Sequence, residues 1–197
     1  GFNDLNADDK FNPKKIDFYS LKNNNKICDL DISQFNYQNI SYTTLKRSLL
    51  IGFLKEKLFT NSIQFNKDVE KINYSDSKVE ITFENNTRDV CDYLVIADGV
   101  FSSTKSILFN RDIKPKYFGS LAIRALLEQE DLNFFDKNNI ILFLGSNIHL
   151  VSYPINIKKE VNIIAVIRKN LDKKTLTDES FFNDKENIKK IINDSLI

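Results

Sequence analysis

Five consecutive apolar residues, Tyr93-Leu94-Val95-Ile96-Ala97, stop abruptly at Asp98-Gly99. A strand with one face in water alternates apolar and polar side chains. A run that is apolar on both faces therefore predicts a strand covered on both sides, as inside a parallel sheet. Residues 102–108 then have the spacing of a short helix, with Ser102 placed to cap it. Gly99 lets backbone approach a ligand without a side chain in the way. A helix N-terminus just beyond it can offer N–H groups and a positive dipole end to a phosphate. The same pattern also makes an ordinary strand-to-helix turn, and by itself it fixes no function.

The flanking sequence extends this layer. Residues 16–21 and 26–32 read as strands around the turn Asn23-Asn24-Asn25. From Leu45 the period changes: Leu45, Leu49, Phe53 and Leu58 form a 3.6-residue stripe opposite Lys46, Arg47, Lys55 and Lys57. This predicts a helix over about 43–58, capped by Ser41 or Thr43. Val69 and Ile72 suggest a strand. Val79, Ile81 and Phe83 alternate with Glu80, Thr82 and Glu84, and Asn85-Asn86 marks a turn before residues 88–91.

Beyond Pro115 the pattern is strand-rich. Residues 117–127, 140–144, 149–155 and 161–168 predict four strands, most economically an antiparallel sheet, with Lys159-Glu160 in a hairpin. Phe181, Phe182, Ile188, Ile191 and Ile192 have helical spacing over 178–197. The fold class expected is α/β of mixed α+β character. Part of a doubly wound domain (1–111) precedes a mostly antiparallel sheet with a C-terminal helix (112–197).

Composition narrows the function. With 42% hydrophobic and 28% charged residues, a packed core is affordable. The 28 basic and 27 acidic side chains are interspersed and leave a net charge of +1, which argues against a nucleic-acid partner. Cys28 and Cys91 form no CxxC pair, so neither a metal site nor a disulfide framework is expected. No apolar run is long enough to span a bilayer and no signal peptide opens the chain, pointing to the cytoplasm.

Four motifs, in order, carry a resemblance. Asp92, five apolar residues, Asp98, Gly99, Ser102 and Lys105 resemble the Asp-Gly fingerprint of class A FAD-dependent aromatic-ring monooxygenases, with Lys105 where that family usually has Arg. Ile40-Ser-Tyr-Thr-Thr-Leu45 and the following helix resemble the segment in which a polar residue reaches the flavin, here Tyr42 or Thr43. Tyr117-Phe-Gly119-Ser-Leu-Ala122-Ile-Arg124 is similar to the strand opening the substrate sheet. His149-Leu-Val-Ser-Tyr153-Pro154 is similar to a block of the salicylate-hydroxylase-like branch. The resemblance spans about residues 38–170 and implies the para-hydroxybenzoate hydroxylase fold, with 1–111 as partial FAD-binding domain and 112–197 as partial substrate domain.

The resemblance also implies a reaction. NAD(P)H would reduce FAD, and one oxygen of O₂ would be transferred to a small aromatic substrate. Asp98, Gly99, Ser102 and Lys105 would lie against the cofactor; Lys105 keeps the charge but not the guanidinium fork. His149, the sole histidine, would accept the phenolic proton, and Tyr153 would orient the ring or its carboxylate. On position alone, a half-exposed histidine on a sheet edge is the better reading of His149. Within the family the alternative is a ubiquinone-pathway ring hydroxylase, a branch that tends to have Gln and Val where this chain has Ser120 and Arg124. From another class, a non-catalytic binding module with the same fold is the alternative.

The five glycines, Gly1, Gly52, Gly99, Gly119 and Gly145, are isolated, so no G-x-G-x-x-G unit for the ADP half of FAD is present, nor is a later Gly-Asp motif. The chain therefore reads as an interior piece of such an enzyme, expected to be colourless and inactive alone.

Overall fold

The computed structural model describes residues 4–36, 41–59, 62–128, 138–157 and 160–196. Ile40, Lys159 and Ile197, which enter the motifs and boundaries above, lie outside them. In chain order the strands and helices are β1 (Lys10–Phe11), β2 (Lys15–Ser20), β3 (Lys26–Asp31), β4 (Thr44–Leu45), α1 (Arg47–Glu56), β5 (Val69–Tyr74), β6 (Val79–Phe83), β7 (Arg88–Cys91) and α2 (Ser103–Phe109). There follow β8 (Ser120–Glu128), β9 (Ile140–Leu144), β10 (Ile148–Pro154), β11 (Glu160–Arg168), α3 (Lys173–Leu176), α4 (Glu179–Asn183) and α5 (Lys185–Ser195). The chain is of mixed α/β class.

Contacts divide it into two compact units, residues 1–57 with 119–197, and residues 58–118. A boundary near residue 112 reads the chain as two consecutive pieces; the larger of these units is instead discontinuous, because β2 and β3 join the sheet built from β8 to β11.

That sheet has six strands in the order β3-β2-β9-β10-β11-β8. The expected antiparallel ladders hold for β9–β10, β10–β11 and β11–β8. The strands predicted at 16–21 and 26–32 form a hairpin that adds to them through a parallel pairing of β2 with β9. Asn24, in the predicted turn, adopts φ 58°, a conformation that asparagine tolerates better than most residues. Pairing partners so distant in sequence leave no periodic trace, which is why these strands read as part of the first layer.

Alternation places Leu121, Ile123, Ile148, Leu150, Ala165 and Ile167 on one sheet face, packed with Phe181, Ile191 and Ile192 of the C-terminal helices. Ile167 is wholly buried at its centre. The single helix expected over 178–197 is two. Asp184 is extended (φ −83°, ψ 115°), and its carboxylate accepts the Glu186 N–H at 2.8 Å, starting α5 afresh. Asp178 caps α4 in the same way through Ser180 and Phe181. Aspartates that bond nearby backbone compete with helix continuation, and here they win.

Gly119 closes the β8–β11 end. The Lys169 N–H donates to its carbonyl at 2.9 Å, its φ is +76°, and a Cβ there would stand 2.8 Å from Asn170 Oδ1. Gly119→Ala is expected to cost about 1–3 kcal/mol through left-handed strain. Urea unfolding measures it, and an unchanged midpoint would mean that the turn relaxes freely.

The smaller unit is an antiparallel sheet, β5-β6-β7, against which α2 packs through β5. Ile81 and Phe83 of β6 are buried, and Asn86 takes the turn at φ 61°. The apolar run that follows departs from expectation. Residues 93–97 pair with no strand among the described residues, and Tyr93 and Val95 are 90% and 85% exposed. An apolar pattern reports what both faces would like to meet; only backbone pairing makes a strand, and none is available here. No helix among the described residues is long and apolar enough to cross a membrane.

Candidate functional site

The sheet face opposite the helices is open. Because Ile148 and Leu150 point into the core, His149, Val151 and Tyr153 of β10 point the other way. Register carries that face across the neighbouring strands: Tyr153 pairs with Asn162, Val151 with Ile164, and Ile164 in turn with Arg124. His149, Val151, Tyr153, Asn162 and Ile164 are half-buried, and Arg124 is exposed. Four polar tips thus stand on an apolar floor. None of them hydrogen-bonds or ion-pairs with a described residue. These tips remain accessible to solvent, and a few polar groups around an apolar floor are the make-up of a surface that can take a ligand.

His149 and Tyr153 share this face, about 13 Å apart along the strand at ~3.3 Å per residue. They bracket a flat apolar strip rather than touching each other. Asn162 and Arg124 complete the constellation, and periodicity could not single them out, since their neighbours are set by the register between strands.

The segment before α1 is tied to one end of this face. Thr44 Oγ donates to the Pro154 carbonyl, and Lys46 pairs with Glu160, itself bonded by Asn156. This is the end that carries Tyr153 and Asn162. Tyr42 and Thr43 are held by two asparagines, Asn12, about 30 positions earlier, and the nearby Asn36. Asn12 Nδ2 donates to the Tyr42 carbonyl at 3.0 Å and to Thr43 Oγ at 2.8 Å, while Asn36 Oδ1 accepts the Tyr42 N–H at 2.8 Å. Thr43 Oγ donates onward to the Ser41 carbonyl at 3.3 Å. The Thr43 hydroxyl is therefore engaged within the chain, whereas the Tyr42 side chain is 43% exposed. Neither Ser41 nor Thr43 caps α1, which begins at Arg47 after Lys46 without a side-chain cap. Thr44 and Leu45 are drawn into a short ladder with Phe11 and Lys10 instead.

In the smaller unit the structure gathers Asp98, Gly99, Ser102 and Thr104. The Ser102 and Thr104 hydroxyls beside Asp98 hold its carboxyl below the usual carboxylate range. Ser102 caps α2, its Oγ accepting the Lys105 N–H at 3.0 Å. Gly99 has φ +87°, and a Cβ added there would meet nothing within 4 Å, so the turn's dihedral requires glycine here and crowding does not. Lys105 is half-buried on the first turn. Donor chemistry tests the fit to FAD. An ionised carboxylate beside a helix start suits a hydroxyl of a ribityl chain or ribose, and Lys105 supplies a cation for a phosphate. The Lys105 N–H, by contrast, is already taken by Ser102. This set fits the sugar side of the cofactor better than the bare pyrophosphate.

Comparison with known proteins follows the same lines. No family model matches the chain. Two salicylate hydroxylases of Pseudomonas putida are 22% and 23% identical to it over 139 and 141 residues, covering 64% and 65% of this chain and 32% of each of theirs. Among solved structures, a salicylate hydroxylase substrate complex superposes with a TM-score of 0.71 at 18% identity, over 87% of this chain and 45% of that one. The chain has the fold of the FAD-dependent hydroxylases. Klebsiella pneumoniae HpxO complexed with FAD and uric acid superposes likewise, with a TM-score of 0.67 at 15% identity over 86% of this chain and 45% of that one. So does 2,6-dihydroxypyridine-3-hydroxylase from Arthrobacter nicotinovorans, with a TM-score of 0.66 at 16% identity over 86% and 43%. Similarity to these hydroxylases covers most of the chain, which spans about a third of the length of the curated relatives it matches.

Proposed function

We propose that the chain forms the ring-binding sheet and part of the flavin site of an FAD-dependent monooxygenase, which hydroxylates a phenolic aromatic with NAD(P)H and O₂. The observation that carries this reading is the open sheet face, where unpartnered polar tips surround an apolar floor. FAD, when bound, supplies the activation of oxygen. The chain's own residues do the rest. Val151 and Ile164 offer a flat apolar surface to the ring and exclude water from it. The His149 imidazole accepts the phenolic proton, enriching the ring in electrons at the carbon to be attacked. Tyr153 orients the ring from the other end of the strip. Asp98, Gly99, Ser102 and Lys105 form a turn toward the sugar side of the cofactor, and Tyr42, with its part-exposed side chain, is the polar residue offered to the flavin from the segment that Thr44 ties to Pro154. In the overall balance one oxygen enters the ring and the other leaves as water, with NAD(P)H as the two-electron donor.

The whole enzyme, supplied with FAD, NAD(P)H and a panel of phenols, should oxidise NAD(P)H faster with at least one of them and return it with an added hydroxyl group. Oxidation indifferent to every phenol, with no hydroxylated product by mass spectrometry, would sink this reading.

A further inference from the structure

Strand β8 is one border of the six-stranded sheet, and its outer edge pairs with no strand among the described residues. The Lys169 N–H donates to the Gly119 carbonyl opposite it, so odd-numbered residues of β8 turn their backbone groups toward β11. The backbone groups of Arg124, Leu126 and Glu128 therefore point outward. Their three side chains share the open face and are all exposed, Leu126 to 52%. Arg124 has no carboxylate partner among the described residues. Glu128 has no cation there either, and it lies directly across from a second carboxylate, Glu160, whose own cation is Lys46. Like charges directly opposite one another destabilise a sheet. An unmatched cation, an exposed leucine and an unmatched anion thus follow one another at every second position of a free edge.

We propose that this edge docks a second copy of the chain, whose own β8 pairs with it antiparallel about a two-fold axis at Leu126. In such a pairing of identical strands one residue faces itself, and every residue before it faces the one equally far beyond. Only centring on Leu126 sets Arg124 opposite Glu128. The Arg124–Glu128 pair then forms twice, and the two Leu126 side chains cover each other between them. The outward backbone groups of all three residues find partners in the same step. The cation brought by the second copy also relieves the opposed carboxylates of Glu128 and Glu160. Because the two-fold consumes both of the edges that it joins, assembly closes at two copies. The far border, β3, offers no such match. Centring on Asp29 or Leu30 sets aspartate against aspartate, and centring on Cys28 leaves Ile27 facing Asp29.

The ladder from Arg124 to Glu128 is short, so the dimer is expected to be reversible and to grow in with concentration. Sedimentation velocity on the 197-residue chain measures it directly. Arg124→Glu and Glu128→Arg, made singly, each set like charges opposite at both pairs. Each should raise the dissociation constant about tenfold or more. The double variant, Arg124→Glu with Glu128→Arg, rebuilds both pairs in reverse and should recover the wild-type dimer. Leu126→Pro removes an N–H that faces outward and leaves the ladder to β11 intact, so it should be folded and monomeric. Circular dichroism checks the fold of each variant. If a single charge variant fails to fold, the double variant and Leu126→Pro still decide the matter. The proposal is overturned if the wild type stays monomeric throughout the accessible concentration range or assembles past the dimer. It is equally overturned if a folded single variant or Leu126→Pro dimerises like the wild type, or if the double swap fails to restore association.

Discussion

Replacing His149 by alanine is expected to lower ring hydroxylation in the whole enzyme by a factor of about 10²–10⁴, with flavin reduction by NAD(P)H almost untouched. That factor corresponds to roughly 3–5 kcal/mol of transition-state stabilisation. The reason is positional. His149 projects from the middle of a sheet onto an open face and has no partner among the described residues, so its imidazole is available to a ligand. Without a proton acceptor the ring stays a poor nucleophile, and electrons from NAD(P)H end on O₂ as hydrogen peroxide. His149→Gln preserves much of the shape and a hydrogen bond but cannot take the proton, so it should be uncoupled too while binding substrate better than the alanine variant. The ratio of product formed to NAD(P)H consumed is the measurement. A wild-type ratio in both variants would return His149 to the status of a half-exposed sheet residue, whose loss changes stability by about 0.5 kcal/mol.

The second large effect concerns the opposite face. Ile167→Ala should destabilise the chain by about 2–5 kcal/mol, because Ile167 is 0% exposed among Ile148, Ala165 and Ile191, and the cavity left behind can only partly collapse. Ile164→Ala, three residues earlier on the same strand but pointing to the open face, should cost clearly less. Chemical denaturation of the two variants compares the faces directly. Equal losses would mean that both faces are covered, and the picture of an open ring-binding surface would have to be abandoned.

Much of this arrangement is legible in the sequence, and the reasons differ from element to element. Period-two alternation marks β6, where Val79, Ile81 and Phe83 alternate with Glu80, Thr82 and Glu84, while β10 and β11 show as apolar runs between turn signals. The pleat of a strand is enough to put His149 and Tyr153, four residues apart, on a common side. Asn24 and Asn86 announce their turns through a conformation few other residues tolerate. What sequence does not disclose is which strands meet. β2 could not be assigned to the sheet of β9, nor Arg124 to the row of Val151, because register is a property of two segments and neither contains it. Asn12, which holds both Tyr42 and Thr43 from about 30 positions away, escapes notice for the same reason. The run 93–97 fails differently: its apolarity is genuine, but no described strand pairs with it. A capping aspartate inside an apolar stripe is easily overlooked too, and Asp184 splits a helix that spacing alone joins.

The parallel pairing of β2 with β9 has a bearing on how the chain assembles. Ile16 meets Ile140, 124 positions later, whereas β9, β10 and β11 are near neighbours in sequence and pair locally. Closing so long a loop is entropically unfavourable until the contacts at its ends repay it, so local hairpins are expected to form early and the β2–β3 hairpin to dock late. Until it does, β9 is a bare sheet border with unsatisfied backbone groups, open to pairing with another molecule. Residues 58–118 can meanwhile fold as an independent excursion, their own three-stranded ladder needing nothing from the ends of the chain. The late-closing clasp, rather than the core, is thus the step at which nascent chains are most exposed to misassembly.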